Sequence, residues 1–196
     1  MTVTGTSDNK AGTGLDIADS NLNATAGNLS LTGRMNGAGG GFGTHIHGSN
    51  TFTAAENIAV NGSAMDGTKG GLNVNGGTFS AKNTELNGQS DQNNIGVKVG
   101  STITVTQGNL SITGTANRTN SSPGVTGLMS DGTLNIDVQD GSLNLTGTVN
   151  DAGSDASRAN TATGLKLSTT TLNAKSANLT GVSAYAGQGF SLNDVN

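Results

Sequence analysis

The chain has no cysteine and no tryptophan, and only one proline, one tyrosine and four phenylalanines. Without cysteine there is no disulfide framework, no thiolate metal site and no cysteine nucleophile. With so few rings there is no platform on which bases could stack. The nine Lys and Arg are scattered singly, so a basic footprint for nucleic acid is also missing. No apolar run approaches the roughly 18 residues of a membrane-spanning helix. The N-terminus lacks the charged start and apolar stretch of a signal peptide. Leu, Ile, Val and Phe number only 38 of 196 residues, near the low edge for a globular domain. That scarcity argues against a compact, enzyme-sized core. The shortage of strong helix formers argues against a helical bundle. A formal net charge of −4 is too small for charge-driven disorder, so periodicity has to decide between disorder and an unusual fold.

What is present is Gly, Asn, Thr and Ser, together 104 of the 196 residues, arranged in a repeating three-part phrase. From Gly14 it reads GLDI, NLNAT, NLSLTG; from Gly96, GVKV, TITVT, NLSITG; from Gly127, GLMS, TLNIDV, SLNLTG; from Gly164, GLKL, TLNAK, NLTG. Looser copies start at Gly43 and Gly71, and a last opening at Gly189, with spacings of 25 to 37 residues. Each part alternates apolar and polar, the mark of a short strand with one buried face. The inward set of the first copy is Leu15, Ile17, Leu22, Ala24, Leu29 and Leu31. In the copy from Gly96 it is Val97, Val99, Ile103, Val105, Leu110 and Ile112. No single phrase buries its own apolar face, but equivalent phrases stacked copy on copy bury it together. The pattern therefore predicts an all-β, right-handed parallel β-helix of about six full coils, each with three short strands, and an axis of roughly 30 Å at ~4.8 Å per coil.

Two corners of the coil can be read. Asn28, Asn57, Asn109 and Asn178 are expected just before the third strand, where Asn tolerates a left-handed backbone and can form a ladder of stacked amides. At the corner after the third strand the connection varies from seven to sixteen residues, counted from the Gly that closes the third strand. The loops should therefore project from one edge. The two longest, residues 115–126 and 148–163, belong to adjacent coils and carry Arg118, Pro123, Asp151, Asp155 and Arg158 as candidate partner-binding residues. TVTG at residues 2–5 matches a third-strand phrase and GFSL at 189–192 a first-strand phrase, so residues 1–196 read as a single β-helix segment cut from a longer filament.

Candidate chemistry is sparse. His45 and His47 share one face of a strand and are expected on the solvated surface; a metal site would need a third ligand. Asp131, Asp137 and Asp140 read as corner residues that bond their own backbone. Gly37–Gly43 reads as a corner without the strand-to-helix context of a phosphate cradle. The eight Asn-X-Ser/Thr sites, at Asn23, Asn28, Asn61, Asn109, Asn117, Asn120, Asn144 and Asn178, are no more than this composition produces. Thr102, Thr104 and Thr106, with Thr169 and Thr171, form Thr-X-Thr pairs that do not repeat on every coil, as an ice-binding face would require. No catalytic, cofactor-binding or metal residue is assigned.

The phrases GNLSLTG, GNLSITG and GSLNLTG, with openings such as GLKL, resemble the repeats of Gram-negative filamentous haemagglutinin-like exoproteins. That group includes two-partner secretion adhesins, contact-dependent inhibition toxins and autotransporter passengers. The resemblance covers about Thr2 to Leu192. The Asn-Pro-Asn-Gly-like motif of that family's secretion domain is not present, so the chain corresponds to the shaft or a receptor-facing segment. The resemblance implies a secreted or surface-displayed fibre, exported through an outer-membrane pore, that meets a protein or glycan receptor on a host or bacterial cell. No catalytic residue carries over. Two other readings stay open on the residues alone: a carbohydrate-binding or carbohydrate-degrading β-helix of the tailspike or lyase type, and an ice-binding solenoid.

Overall fold

The computed structural model describes residues 1–9, 11–37, 39–65, 69–92, 94–118, 124–151, 162–184 and 187–196. Among the described residues fourteen strands follow in chain order: β1 (Thr2–Ser7), β2 (Leu15–Ala18), β3 (Asn21–Ala24), β4 (Leu29–Met35), β5 (Phe42–His47), β6 (Thr51–Ala54), β7 (Asn57–Ala64), β8 (Gly70–Ser90), β9 (Ile95–Arg118), β10 (Thr126–Val138), β11 (Ser142–Asp151), β12 (Thr163–Asn173), β13 (Ser176–Ser183) and β14 (Gln188–Val195). Every pairing between them is parallel and joins equivalent phrases of successive coils, as in β4 on β7 and β10 on β12. The result is a right-handed parallel β-solenoid of about six turns.

The coil has three faces. The first holds β2, β5 and β14 and the leading parts of β8, β9, β10 and β12. The second holds β3, β6 and the following parts of β8, β9, β10 and β12. The third holds β1, β4, β7, the ends of β8 and β9, and then β11 and β13. Strands β8 and β9, of 21 and 24 residues, run through both corners, with shifts of register at each, so the middle coils are near-continuous ribbons rather than three separate strands.

The core is built from columns. Leu31, Val60, Leu86, Ile112, Leu145 and Leu179 lie in register, one per coil, along the third face. Leu29, Leu31, Val97, Val99, Ile103, Val105, Leu110, Ile112 and Leu143 are all fully buried, as the alternation predicts. In the first coil Ile17 and Ala24 are buried while Leu15 and Leu22 are partly so. Phe190 and Leu192, at positions that earlier coils cover, stand exposed on the last one. The column through Ile58 and Leu110 contains a polar residue. Thr84 sits between Ile58 and Leu110, and its buried hydroxyl has no hydrogen-bond partner. Thr84→Val keeps the shape and removes the unsatisfied oxygen. It should stabilise the chain by about 1 kcal/mol, read as a higher urea midpoint at unchanged slope. A lower midpoint would mean that the hydroxyl has a partner.

The corners depart from the sequence reading. The left-handed residue that every coil shares falls at the first corner, between the first and second faces; at the corner before the third face positive φ occurs at Gly27 and Gly108, next to Asn28 and Asn109 rather than at them. At the first corner Asp19, Gly48, Gly76, Ser101, Gly132, Thr169 and Asp194 take φ values of 46°, 76°, 92°, 60°, 69°, 47° and 53°, one in each coil. The recurring need for positive φ at one place is what the turn imposes; Gly meets it without cost and Asp at modest cost, whereas Ser101 and the β-branched Thr169 are held there against their preference. The third strand also does not end at its glycine. Strands β9 and β11 continue to Arg118 and Asp151, so the loops begin later than expected.

The reason for that glycine is contact between sheets. Gly5, Gly33, Gly62, Gly88, Gly114, Gly147 and Gly181 form one unbroken column on the third face. A Cβ on any of them would run into the backbone of Gly14, Gly43, Gly71, Gly96, Gly127, Gly164 or Gly189, which open the first face. The two faces touch backbone to backbone along this seam, and the third strand crosses it to reach the loop edge.

Candidate functional site

Beyond the seam the solenoid carries a narrow edge, and the two long loops are rooted in it. Asp151 at the end of β11 pairs in register with Arg118 at the end of β9. These two are thus terminal strand residues in register on adjacent coils, rather than residues within the loops as the sequence reading has them. Pro123, Asp155 and Arg158 lie outside the described residues. The chain returns at Val125 and Ala162, and the amide of Thr163 donates to the carbonyl of Val125 at 3.0 Å. Ala116, Val125, Val149 and Ala162 pack into a small core of their own, separate from the main one. Loop exits and loop returns are therefore fastened to each other across the coil boundary.

Amide ladders reinforce this edge and the opposite corner. Asn150 donates to Asn117, and Asn117 to Asp91, each at 3.1 Å, immediately beside Arg118 and Asp151. At the corner before the third face, Asn57 donates to Asn28 at 3.0 Å, Asn83 to Asn57 at 3.0 Å and Asn109 to Asn83 at 3.1 Å. The ladder passes to Ser142, whose amide donates to Asn109, and ends with Ser176 on Ser142 at 2.9 Å. Asn178 is not part of it. It pairs with Asn144 two residues into the strand, and Ser176 holds the ladder position. Asn83 is the member that the sequence reading missed, because in its phrase, NTELNG, Thr84 follows the Asn where Leu29, Ile58 and Leu110 follow it in the other copies.

The acidic residues do not gather. Asp131 ends a first-face strand and pairs with Lys98 at 2.7 Å. Asp137 lies within the second-face strand, not at a turn, and accepts from Asn173 at 2.7 Å. Asp140 meets Lys175 at 3.4 Å. Each is tied to a neighbouring coil rather than to its own backbone. The corner reading fails for Asp137 because a coil corner is set by its neighbours' register, which no short stretch reveals. The threonines do form short partial columns: Thr51, Thr78 and Thr104, which ends at Asp137, and Thr113, Thr146 and Thr180 on the third face.

The histidines do not stand alone. Thr44 and Ile46 point inward, and the Thr44 hydroxyl donates to the carbonyl of Asn61 at 2.6 Å. His45 and His47 point outward, their rings stacked with centroids 4.5 Å apart. Asp16, in register with His45 one coil earlier, places one carboxylate oxygen 3.3 Å from His45 Nδ1 and 3.3 Å from His47 Nε2. Partial burial, then the charge of His47, lowers the His45 pKa against the opposing pull of Asp16. The sequence held part of this signal: aligning GLDI from Gly14 with GTHI from Gly43 puts Asp16 over His45, while the reach to His47 is set by the folded coil.

Comparison of the chain with known protein families, with curated proteins and with solved structures returned no match. The class that the coordinates define is that of the parallel β-solenoid repeat proteins, a scaffold of stacked coils with variable loops on one edge.

Proposed function

We propose that this chain is a structural and adhesive segment of a filament exported to the surface of a Gram-negative bacterium. Its loops on one edge engage a protein or glycan receptor on a host or bacterial cell. The observation that carries this reading is the joint rooting of the two long loops: in-register strand ends at Arg118 and Asp151, and a private core of Ala116, Val125, Val149 and Ala162 beneath them. Repeat solenoids commonly bind through such an edge. The likeness of the GNLSLTG phrases to filamentous exoprotein repeats supports export through an outer-membrane pore, since stacked coils can fold one after another as the chain emerges.

The test is to shorten both loops, 119–124 and 152–161, to short Gly-Ser connections and to measure attachment of protein-coated beads to cultured epithelial cells and to Gram-negative bacteria. Circular dichroism and the thermal midpoint should stay close to those of the parent, because loop closure changes slowly with length. Attachment should fall at least about tenfold if these loops are the central contact. Undiminished attachment by a folded variant would reject the assignment.

A further inference from the structure

Asp16, His45 and His47 are brought together by coil register on the outward surface of the first face. Leu15 pairs with Thr44, Asp16 with His45 and Ile17 with Ile46. Ile17 and Ile46 anchor both strands in the core, so the outward side chains between them are held at the coil spacing. Each of the three offers one ligand atom, His45 Nδ1, His47 Nε2 and Asp16 Oδ1, and all three atoms lie within 4.8 Å of one another. The two carboxylate-to-imidazole separations are both 3.3 Å. Ligands placed about 2.0–2.1 Å from a zinc ion at tetrahedral angles are about 3.3–3.4 Å apart, so two edges of the required figure already exist.

We propose that Asp16, His45 and His47 form a binding site for a divalent transition-metal ion of the zinc type. Two imidazole nitrogens and one carboxylate oxygen suit zinc, nickel or copper, whereas calcium and magnesium call for oxygen ligands. The site is partly exposed, with side-chain exposures of 27% for His45, 40% for His47 and 57% for Asp16. Three protein ligands on an open face leave the remaining coordination to water or to a donor from a second molecule. The nearby Lys69 opposes a cation, and the Asp16 carboxylate offsets it. The outward alternation of β5 accounts for the two histidines, and the register of β2 on β5 supplies the third ligand that the histidine pair lacks by itself.

The experiment uses the full, untagged chain and zinc chloride at neutral pH. Because the protein has only two histidines, imidazole NMR signals report on this site and no other. The expected result is saturable binding of one zinc per chain by calorimetry, with the signals of both histidines shifting together. Asp16→Asn and His47→Gln should each weaken binding by at least about tenfold, since loss of even an outer partner costs that much. Asp131→Asn, on a distant coil, should leave binding unchanged, and excess magnesium or calcium should not compete. Any of three outcomes would overturn the proposal: no saturation by the folded parent, a shift confined to one imidazole, or undiminished binding by folded Asp16→Asn.

Discussion

Gly114→Ala should destabilise the chain by about 3 kcal/mol or more, one of the largest losses that a single added methyl group can cause in it. A Cβ at this position would overlap the carbonyl oxygen of Gly127 on the facing sheet. Neither backbone can step aside alone. Gly114 is paired with Gly88 and Gly147, and strand β10, which carries Gly127, is paired with β9 and β12. Relief requires the two faces to part along several coils, opening the core beneath Val97, Ile112 and Leu128. Urea unfolding followed by far-ultraviolet circular dichroism measures the effect. Thr113→Ala, on the outward side of the same strand, is the control and should change stability by no more than about 0.5 kcal/mol. A Gly114→Ala variant as stable as that control would mean that the seam is open.

Phe79→Ala should cost about 3–5 kcal/mol. Phe79 and Phe52 are fully buried and in register on the second face, and their rings stack with centroids 5.0 Å apart at 23°. Most of the remaining core consists of Val, Leu and Ile, so no neighbour is large enough to fill the space that a lost ring leaves. Each coil is pinned by the coils above and below, which limits collapse around the cavity. In the double variant Phe52→Ala, Phe79→Ala the combined loss should fall short of the sum by about 0.5–1.5 kcal/mol, the worth of the ring contact itself. Strict additivity in the urea midpoints would show that the rings do not interact.

Much of the molecule was legible because its unit is short and its burial pattern has period two. Leu29, Val97, Ile112 and Leu143 could be placed in the core from alternation alone, and the pairing of GLDI-type phrases across coils followed from aligning the copies. The loop edge was legible because the largest changes of length fall at one position of the repeat, although the structure shows smaller insertions at the other corners, as between Asp131 and Leu134 and between Asn75 and Gly77. The reading failed where a residue's role depends on the facing sheet. Gly33 and Gly114 looked like strand ends, yet the strands run on through them. Their glycine identity reflects the backbone of another face, which lies far away in sequence. The left-handed corner was assigned to Asn28 and its equivalents, while the structure puts it at Asp19, Ser101 and Thr169. The Asn side chains instead bond along the axis at the corner before the third face, where Gly27 and Gly108 take the positive φ.

The sequence by itself determined the architecture, since an apolar face too small to bury itself has only stacking as a solution, and the repeat sets which residues stack. Only the tertiary structure decided what faces what across the coil. It set the glycine seam between the first and third faces, the joint footing of Arg118 and Asp151, and the meeting of Asp16 with His45 and His47. Those relations come from the shape of the closed turn and from register between coils. A linear pattern encodes the period of burial but not the distance between two faces of the same turn.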